Sequence, residues 1–589
     1  MAQDSVFKNI PKEPKIFNKI DTYSKKRKFT QFFHRLLFRD YNPNQKPEPE
    51  KKVTIKQTFD NKIIRNIEIE TLDPFGYSIE NENEKPHHFL EKFGNKVHVT
   101  TRDFTIRNYL LFKKHELLDT LKINESARII RTQRFARSVV IIPKSIKNCK
   151  DSIDVYIRVL DNWSIIPTGA FSKTQFNINV EENNFLGLGH QFNNGISRRF
   201  LDNSNGYSTR YEINNFKNSF ANFAIASSSD LNDNTSKSIS INRPFYSVFA
   251  HFAGGALYQY GSYNDYLPDS NGALAFQNLK LKTYDFWLGR SFELKSKNEI
   301  NNRQTNGFLT ASYRNINYLN KPSADFDSKG FYGSEQLLLS TFGVATQKFK
   351  QDRYLFNFGV VEDVPFGILY SITSGVQYKN DTKRAYFGGR FSFANYYKLG
   401  YFSTNFEIGS FFTNGINQES TLRFDINYFS PLLRLGSSKF RQFINPTLTL
   451  GWNRNPIIRD RLNLADYKGI PGLTTSTTGT KKASITLQSQ LYIPRYWYGF
   501  NFSPFINFSF GVLGDTSNAT FNPKILSSYS IGTVISNNYL IFNSFQISFS
   551  YIPYIQNEGN NIFKTNSFQN SNLPFTNFQI GEPGVVSFR

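Results

Sequence analysis

Beyond Pro167 the chain alternates between apolar and polar residues over many short stretches. Residues 422–428 read Leu-Arg-Phe-Asp-Ile-Asn-Tyr, and residues 485–491 and 545–551 largely follow the same rule. A period of two places the apolar side chains on one face of a β-strand and the polar ones on the other. We therefore predict antiparallel strands from Pro167 to the C-terminus.

The nature of the polar positions and the placement of aromatic residues favour a membrane barrel over a β-sandwich, which also alternates. The polar positions carry Arg, Asp, Gln, Asn and Ser, which suit a wet lumen. Aromatic residues crowd predicted strand ends, as in residues 395–397 and 495–498, where a girdle would meet lipid headgroups. We predict a mainly β fold, a transmembrane antiparallel β-barrel of about 16 strands, while about 14 or 18 strands would also fit the length.

The overall composition agrees with a barrel. The 589 residues include 60 Phe and 32 Tyr but a single Met, and the mean hydropathy is -0.45. A soluble enzyme of this length would draw its core mainly from aliphatic residues. No stretch of about 18 apolar residues is present, which excludes a helical membrane span.

Residues 51–166 follow a different pattern, typical of a small α/β domain. The predicted strands cover residues 63–69, 139–142 and 153–160, and a predicted helix covers residues 124–137. Thr100 or Thr101 is suited to cap an earlier helix that would carry Phe104, Tyr109 and Leu110. The predicted order of elements is β-α-α-β-β.

Residues 1–50 form a basic leader in which one stretch has the spacing of an amphipathic helix. A Pro-rich linker with Pro43, Pro47 and Pro49 follows it. This helix would lie at the membrane interface or plug the lumen, or it would pack on the small domain; both alternatives stay open. Its apolar face consists of Phe29, Phe32, Phe33, Leu36 and Leu37.

The formal net charge of +23 raises the question of nucleic-acid binding. The basic residues are dispersed, and no recognition module accompanies them, so we expect no nucleic-acid partner. Anionic headgroups of outer-membrane lipids are a better counterpart, and a solvated basic surface is the alternative.

We expect neither enzymatic activity nor a cofactor or metal. Cys149 is the single cysteine, so the sequence offers no intrachain disulfide and no cysteine-based metal site. His190 and His251 are the histidines of the predicted barrel region, and no nucleophile or carboxylate pair with suitable spacing accompanies them.

Several strings, taken in their order along the chain, resemble the BamA-like superfamily of outer-membrane protein assembly and translocation, in its bacterial surface antigen type and in the versions found in Bacteroidota. They are Asn-Phe-Leu-Gly-Leu-Gly at 184–189, which would open the second barrel strand, residues 354–367, residues 429–433, and Asp-Asn-Trp-Ser at 161–164. The small domain is similar to a single POTRA module. The resemblance covers about residues 20 to 589.

The resemblance implies three domains: a leader and linker at 1–50, a periplasmic POTRA-like domain at 51–166, and an outer-membrane barrel at 167–589. It implies that the protein assists insertion or assembly of outer-membrane proteins through POTRA docking and a lateral seam. Unfolded polypeptide clients, membrane lipids and accessory lipoproteins are the expected partners. A two-partner-secretion-like polypeptide exporter and a passive porin are the alternatives, and the small domain argues against the porin.

The resemblance also implies a loop motif of Arg-Gly-aromatic type that folds into the lumen. The best candidate is Tyr467-Lys468-Gly469-Ile470-Pro471-Gly472, where lysine and isoleucine replace the expected arginine and aromatic residue. The expected acidic partners align with Gln490 and Ser509. Lysine cannot form the bidentate fork of arginine, so an arginine-centred lock would be absent or rebuilt. In the alternative alignment, Arg454, Arg459 or Arg461 supplies the charge in the lumen.

A lateral seam between the first and last strands is the second implied feature. We predict that the last strand includes residues 576–580, with Phe578 and Ile580, and that Phe588 is the aromatic end of the barrel. Pro583 and Gly584 interrupt the ladder of hydrogen bonds, so we expect a weakly paired seam.

Overall fold

The computed structural model describes residues 59–79, 81–86, 89–147, 149–294, 303–356, 361–455, 457–466, 468–474, 477–497, 500–515, 521, 524–537, 544–555, 559–566, 575 and 578–589. The leader-helix prediction, including Phe29 to Leu37, lies outside these residues, and so does Tyr467. The chain divides into two compact units, which we describe separately. The first contains the described residues up to Leu231, and the second contains those from Asn232 onward apart from segments at 496–500 and 537–543.

The first unit begins with a small α/β domain, which has three helices between its first two strands where the sequence predicts two. Its three-stranded sheet has the order β1-β3-β2, with β1 parallel and β2 antiparallel to β3. Alternate residues of β3, including Ile153, Val155 and Ile157, are almost fully buried. The elements are β1 (Ile63–Leu72), α1 (Phe89–Val97), α2 (Asp103–Arg107), α3 (Thr120–Arg131), β2 (Ala136–Ile146) and β3 (Cys149–Asp161).

The helix signals in this domain are only partly those that the sequence suggests. Helix α3 begins after Asp119, whose side chain accepts a hydrogen bond from the amide of Leu121 at 2.9 Å, a normal N-cap. The predicted capping by Thr100 or Thr101 is wrong, because Arg102 occupies the N-cap of α2 without a side-chain hydrogen bond. Thr100 instead donates to Asp73, and the amide of Thr101 donates to Asp161.

An antiparallel meander follows in the first unit, and each strand pairs with the next. The Asn-Phe-Leu-Gly-Leu-Gly string does not open the second strand as predicted. Its first two residues end one strand and the rest form the turn before the next, where Leu186, Gly187 and Gly189 all have positive φ. The strands are β4 (Ile165–Phe171), β5 (Gln175–Phe185), β6 (His190–Arg199), β7 (Asn205–Ile213) and β8 (Asn222–Ser229).

The second unit consists mainly of long antiparallel strands. Pairing runs from β9 through β17 to β19, β22 and β24, and β25, β26 and β27 also pair in order. The strands are β9 (Thr235–Arg243), β10 (Phe252–Pro268), β11 (Leu274–Glu293), β12 (Thr305–Asn320), β13 (Glu335–Arg353), β14 (Val361–Lys379), β15 (Thr382–Tyr397), β16 (Gly400–Thr413), β17 (Ile416–Phe429), β18 (Leu433–Leu435), β19 (Ser438–Trp452), β20 (Leu462–Asn463), β21 (Thr478–Gly479), β22 (Lys481–Tyr492), β24 (Phe500–Gly514), β25 (Leu526–Asn537), β26 (Ser544–Ile555) and β27 (Gly559–Thr565). The short strand β23 (Tyr496–Trp497) lies in a segment of the first unit. The prediction of a mainly β fold is confirmed, and the strands predicted at 422–428, 485–491 and 545–551 lie within β17, β22 and β26.

The two faces of this sheet have an inverted polarity compared with a soluble protein, because polar side chains are buried on one face and apolar side chains are exposed on the other. We call the face that carries Ser312, Tyr386 and Asp425 the inner face, and the opposite one the outer face. On the inner face, polar side chains are buried: Asp285, Thr310, Ser312, Thr341, Gln377, Ser392, Asn405 and Asp425. On the outer face, large apolar side chains are exposed: Leu288, Leu309, Leu338, Phe342, Tyr370, Ile372, Phe387 and Ile408.

The C-terminal residues contradict the predicted last strand. Residues 578–589 contain no strand, and β27 is the last strand that the structure describes. Phe578 is fully buried and Ile580 is almost so, because both pack inside a hydrophobic cluster instead of lying at a sheet edge. Among the described residues, no helix is long and apolar enough to cross a membrane.

Candidate functional site

The loop between β19 and β22 carries the predicted motif and reaches the inner face of β17. Nζ of Lys468 lies 2.9 Å from Oδ2 of Asp425, and the carbonyl of Lys468 accepts a hydrogen bond from the Ser484 hydroxyl at 2.6 Å. Lys468 has a φ of 56°, which is uncommon for a residue with a side chain. The loop therefore bends sharply where the lysine meets its carboxylate.

Asp425 belongs to a row of charges across three adjacent strands. Arg423 donates to Asp425 at 3.1 Å and lies 3.5 Å from Glu407, and Arg390 lies 3.6 Å from the same glutamate. The row thus joins β15, β16 and β17 by alternating charges and accepts Lys468 at one end. Buried charges of this kind need partners on several sides to offset their desolvation.

The predicted partners of Lys468 lie on the inner face but bond elsewhere. Gln490 donates to the carbonyl of Ser503 at 2.9 Å and accepts from Gln488. Ser509 shares a hydrogen bond with Thr486 and donates to Asn507. Lys468 pairs with Asp425 on β17, a strand that precedes the loop instead of following it.

The three arginines of the alternative alignment also have acidic partners. Arg454 pairs with Asp460, Arg459 with Asp265, and Arg461 with Asp515. Arg454 also donates to the carbonyl of Glu419 at 2.7 Å. The loop therefore places several cations against carboxylates, and Lys468 is the one that joins the charge row on β15 to β17.

Ile470, the residue in place of the expected aromatic, holds the loop by apolar contact. It is 1% exposed and lies in a cluster of Leu462, Leu464, Leu473, Leu513, Ile552 and Ile555. Gly469 allows this fold, since a Cβ atom there would lie 2.0 Å from the carbonyl oxygen of Leu464. Phe588 packs against the same cluster, so the C-terminal residues meet the loop motif.

Residues 578–589, which we call the C-terminal segment, follow the inner face across several strands. Arg314 on β12 bonds to Asp285 at 2.6 Å and to Glu582 at 2.8 Å. The amide of Val586 donates to the hydroxyl of Tyr386 at 2.8 Å. The segment contains the predicted seam residues, and the structure places all of them on this face.

A second contact network fixes the turn between β5 and β6 to the small domain within the first unit. The side-chain Nδ2 of Asn184 donates to the carbonyl of Val99 at 3.0 Å and to the hydroxyl of Thr101 at 2.9 Å. The carbonyl of Gly187 accepts from the amide of Arg102 and the hydroxyl of Thr105. The Asn-Phe-Leu-Gly-Leu-Gly string therefore positions the small domain on the first strands.

Glycine at 187 is required by space as well as by conformation. Its φ is 74°, and a Cβ atom would lie 2.6 Å from the carbonyl oxygen of Thr100. A side chain there would be strained and would push the small domain away. Asn184, which is 1% exposed, completes the contact by accepting from the amide of Gly189 at 2.9 Å.

The exit of the small domain contains a buried histidine-carboxylate pair. Nε2 of His98 lies 3.0 Å from Oδ2 of Asp161, and both side chains are fully buried. The amide of Thr101 donates to the same carboxylate at 2.7 Å. Burial raises the pKa of Asp161, while its bonds to His98 and Thr101 act in the opposite direction.

Three of these features escaped sequence reasoning. The first is the pairing of Asp425 with Lys468. The alternation at 422–428 gives the face on which Asp425 lies, and a carboxylate that is buried on that face needs a cationic partner. Asn184 is part of a recognised string, but its bonds to the small domain cannot be inferred from its position in the sequence. The Pro583-Gly584 pair was the available signal that the C-terminal segment is not a regular strand.

The described fold defines a mainly antiparallel β protein with a polar inner face, an apolar outer face and a small α/β domain. Its fold is similar to that of BamA from Haemophilus ducreyi lacking POTRA domains 1–3, with 13% identity, 86% of this chain and 84% of that chain covered, and a TM-score of 0.36. CdiB from Acinetobacter baumannii is 11% identical, with 95% of this chain and 98% of that chain covered and a TM-score of 0.40. CdiB from Escherichia coli is 10% identical, with 86% of this chain and 75% of that chain covered and a TM-score of 0.42. No protein-family model and no curated protein matches the sequence. Since these TM-scores are low, the function proposed below rests on the chain's own geometry.

Proposed function

We propose that this protein is an outer-membrane β-barrel that assists the insertion or assembly of other proteins in that membrane. The small α/β domain acts as a POTRA-like module on the periplasmic side, and the strands form the transmembrane barrel. The observation that carries the membrane assignment is the inverted polarity of the sheet.

Exposed apolar side chains on one face and buried polar side chains on the other are unfavourable in water. Leu288 is 75% exposed and Ile372 is 66% exposed, whereas Asp285 on the strand of Leu288 is 5% exposed. Contiguous apolar exposure of this kind marks a surface that another apolar phase covers. In a transmembrane barrel, lipid covers the outer face and water or polypeptide contacts the inner one.

The inner face supports a role in handling polypeptide. It holds an extended segment without strand pairing, by contacts to Arg314, Tyr386 and Gly451. The contact of Asn184 with the small domain supports coupling between that domain and the first strands. A passive porin needs neither of these features.

Depletion of the protein in its native host, followed by quantitative proteomics of the outer membrane, tests the proposed role. Loss of many barrel proteins supports assembly. Loss of one exported protein with normal levels of barrel proteins would instead identify a polypeptide exporter. Unchanged levels of both classes would exclude a role in polypeptide handling.

A complemented strain carrying Gly187→Leu provides a sharper comparison. The substitution disrupts the contact between the β5–β6 turn and the small domain, since φ is positive and the space is filled by Thr100. We expect the same proteins to be lost as in the depletion, although the variant itself still reaches the outer membrane. The matched control is Gly272→Leu, in a turn with positive φ and nothing near the added Cβ.

A further inference from the structure

The inner face of the second unit contains a trough in which the C-terminal segment lies. Three strands contribute glycines that face the segment: Gly343 on β13, Gly409 on β16 and Gly451 on β19. A Cβ atom at these positions would lie 2.5 Å from Ile580, 3.0 Å from Val586 and 2.3 Å from Phe588, respectively. Glycine within a strand weakens it and marks a close approach of another group.

Polar contacts along the trough fix the register of the segment. Arg314 bonds to Glu582, the hydroxyl of Ser312 donates to the carbonyl of Pro583 at 3.3 Å, and the amide of Val586 donates to Tyr386. Thr449 donates to the carbonyl of Arg589 at 3.4 Å. Several of these contacts use the main chain of the segment, so the trough recognises extended polypeptide as well as particular side chains.

Both ends of the segment have apolar or aromatic anchors. Phe578 and Ile580 lie within the cluster that contains Leu369, Phe429 and Phe443. At the other end, the guanidinium of Arg454 lies 4.1 Å from the ring centroid of Phe588. Cation-π contact and apolar packing thus hold the aromatic ring beside the loop motif.

We propose that the trough is a binding site for an extended client polypeptide, and that the C-terminal segment is an internal ligand that fills it between clients. The ligand pattern is apolar-x-apolar-x-acidic followed by an aromatic residue six positions later, as in residues 578–588. This inference rests on the proposed function and adds to it the chemistry that a client must present to the trough. A client with this pattern displaces the segment and comes into contact with the loop motif.

The pattern suits unfolded barrel strands. Their residues alternate between apolar and polar, so an apolar-x-apolar anchor occurs in each strand. Arg314, which bonds to Glu582, then selects strands with an acidic residue after this anchor. Arg454 and Gly451, which contact the ring of Phe588, select those with an aromatic residue farther along. Because the segment is part of the same chain, its effective concentration is high and only a matching client competes.

The direct test is binding of a fluorescent synthetic peptide of residues 575–589 to the detergent-solubilised protein. A variant that lacks residues 578–589 is expected to bind the peptide, and the full chain at least tenfold more weakly. Adding Arg314→Glu to the truncated variant lowers affinity at least tenfold, and a peptide with Glu582→Arg recovers part of the loss. A scrambled peptide of the same composition is the control. Equal binding of the scrambled peptide, or no binding to a folded truncated variant, overturns the proposal.

Hydrogen exchange on the full chain keeps the test independent of the truncation. The amide of Val586, which donates to Tyr386, is expected to be protected and to exchange at least tenfold faster with saturating peptide. Tyr386→Phe should speed the exchange of this amide without peptide, whereas Tyr378→Phe, on the outer face of β14, should not. Unchanged exchange with saturating peptide overturns the proposal. Peptide binding together with an unaltered outer-membrane proteome upon depletion would leave the site intact and reject the assembly role.

Discussion

Lys468 and Asp425 join the loop after β19 to the inner face of β17 through an ion pair of 2.9 Å. Asp425 is 3% exposed, and its carboxylate also accepts from Arg423. The resemblance implied an arginine at position 468 and acidic partners, which aligned with the neutral residues Gln490 and Ser509. The observed contact is a lysine–carboxylate pair, and the carboxylate belongs to β17 instead of the two predicted strands.

Lys468→Met should loosen the loop and destabilise the protein. Removing one partner leaves Asp425 with less compensation in a buried site, at a cost of about 1–3 kcal/mol in the free energy of unfolding. Denaturant titration in detergent micelles measures this cost, and protease sensitivity between residues 453 and 480 reports the loop itself. Lys468→Arg, which keeps the charge, is the control. A stability of Lys468→Met equal to the wild type would show that the pair does not hold the loop.

Asn184→Ala should weaken the contact between the β5–β6 turn and the small domain. The variant loses the bonds to Val99 and Thr101, and the amide of Arg102, which donates to Gly187, should exchange about tenfold faster or more. Hydrogen exchange with mass spectrometry on residues 99–106 measures the effect. Asn177→Ala, at an exposed position of the same strand, should leave these rates unchanged. Equal rates in both variants would contradict the proposed positioning role.

The small domain should carry a pH dependence that originates at Asp161. Because burial raises the pKa of this carboxyl above its unfolded value, its contribution to stability is fully present below the unfolded pKa and is lost as pH rises through the folded pKa. Asp161→Asn abolishes that titration. The free energy of unfolding of the wild type should therefore fall relative to the variant as pH increases, measured by exchange of the domain's amides after correction for intrinsic rates. A difference that stays constant with pH contradicts the assignment.

A charge on the outer face should be costly where lipid covers it. Ile372→Arg places a guanidinium in the middle of β14, and a position near the bilayer midplane costs about 2–4 kcal/mol. Refolding into lipid vesicles at graded urea concentrations measures this cost. Thr382→Arg, at the exposed start of β15, should be close to neutral. Equal stability of the two variants would mean that lipid does not cover the face of Ile372.

The regular part of the fold follows from local sequence because its signal is local. A strand with apolar and polar residues in alternation has two distinct faces, so β17, β22 and β26 and their polarity are evident from a few residues each. The small domain's strands are similarly apparent from their β-branched runs. Helix α2 was misassigned because Thr101, a good capping residue, bonds instead through its hydroxyl to Asn184.

The contacts of the site are less predictable since they join distant parts of the chain. Phe578 and Ile580 have the spacing of a strand, and only the tertiary structure shows that both side chains pack inward. The same holds for Lys468, whose partner lies 43 positions earlier on a strand that no local pattern connects with the loop. Local alternation reports a residue's face but not which distant residue meets it.

The opposite environments of neighbouring residues on β14 provide the most direct test of a transmembrane barrel. Single spin labels at Ile372→Cys and Thr373→Cys, each in a Cys149→Ser background and reconstituted in lipid vesicles, report access to oxygen and to a water-soluble nickel chelate. The label at 372 should be accessible to oxygen and protected from nickel, and the label at 373 should show the reverse preference. If both labels prefer the nickel chelate, the outer face contacts water and the membrane assignment is wrong.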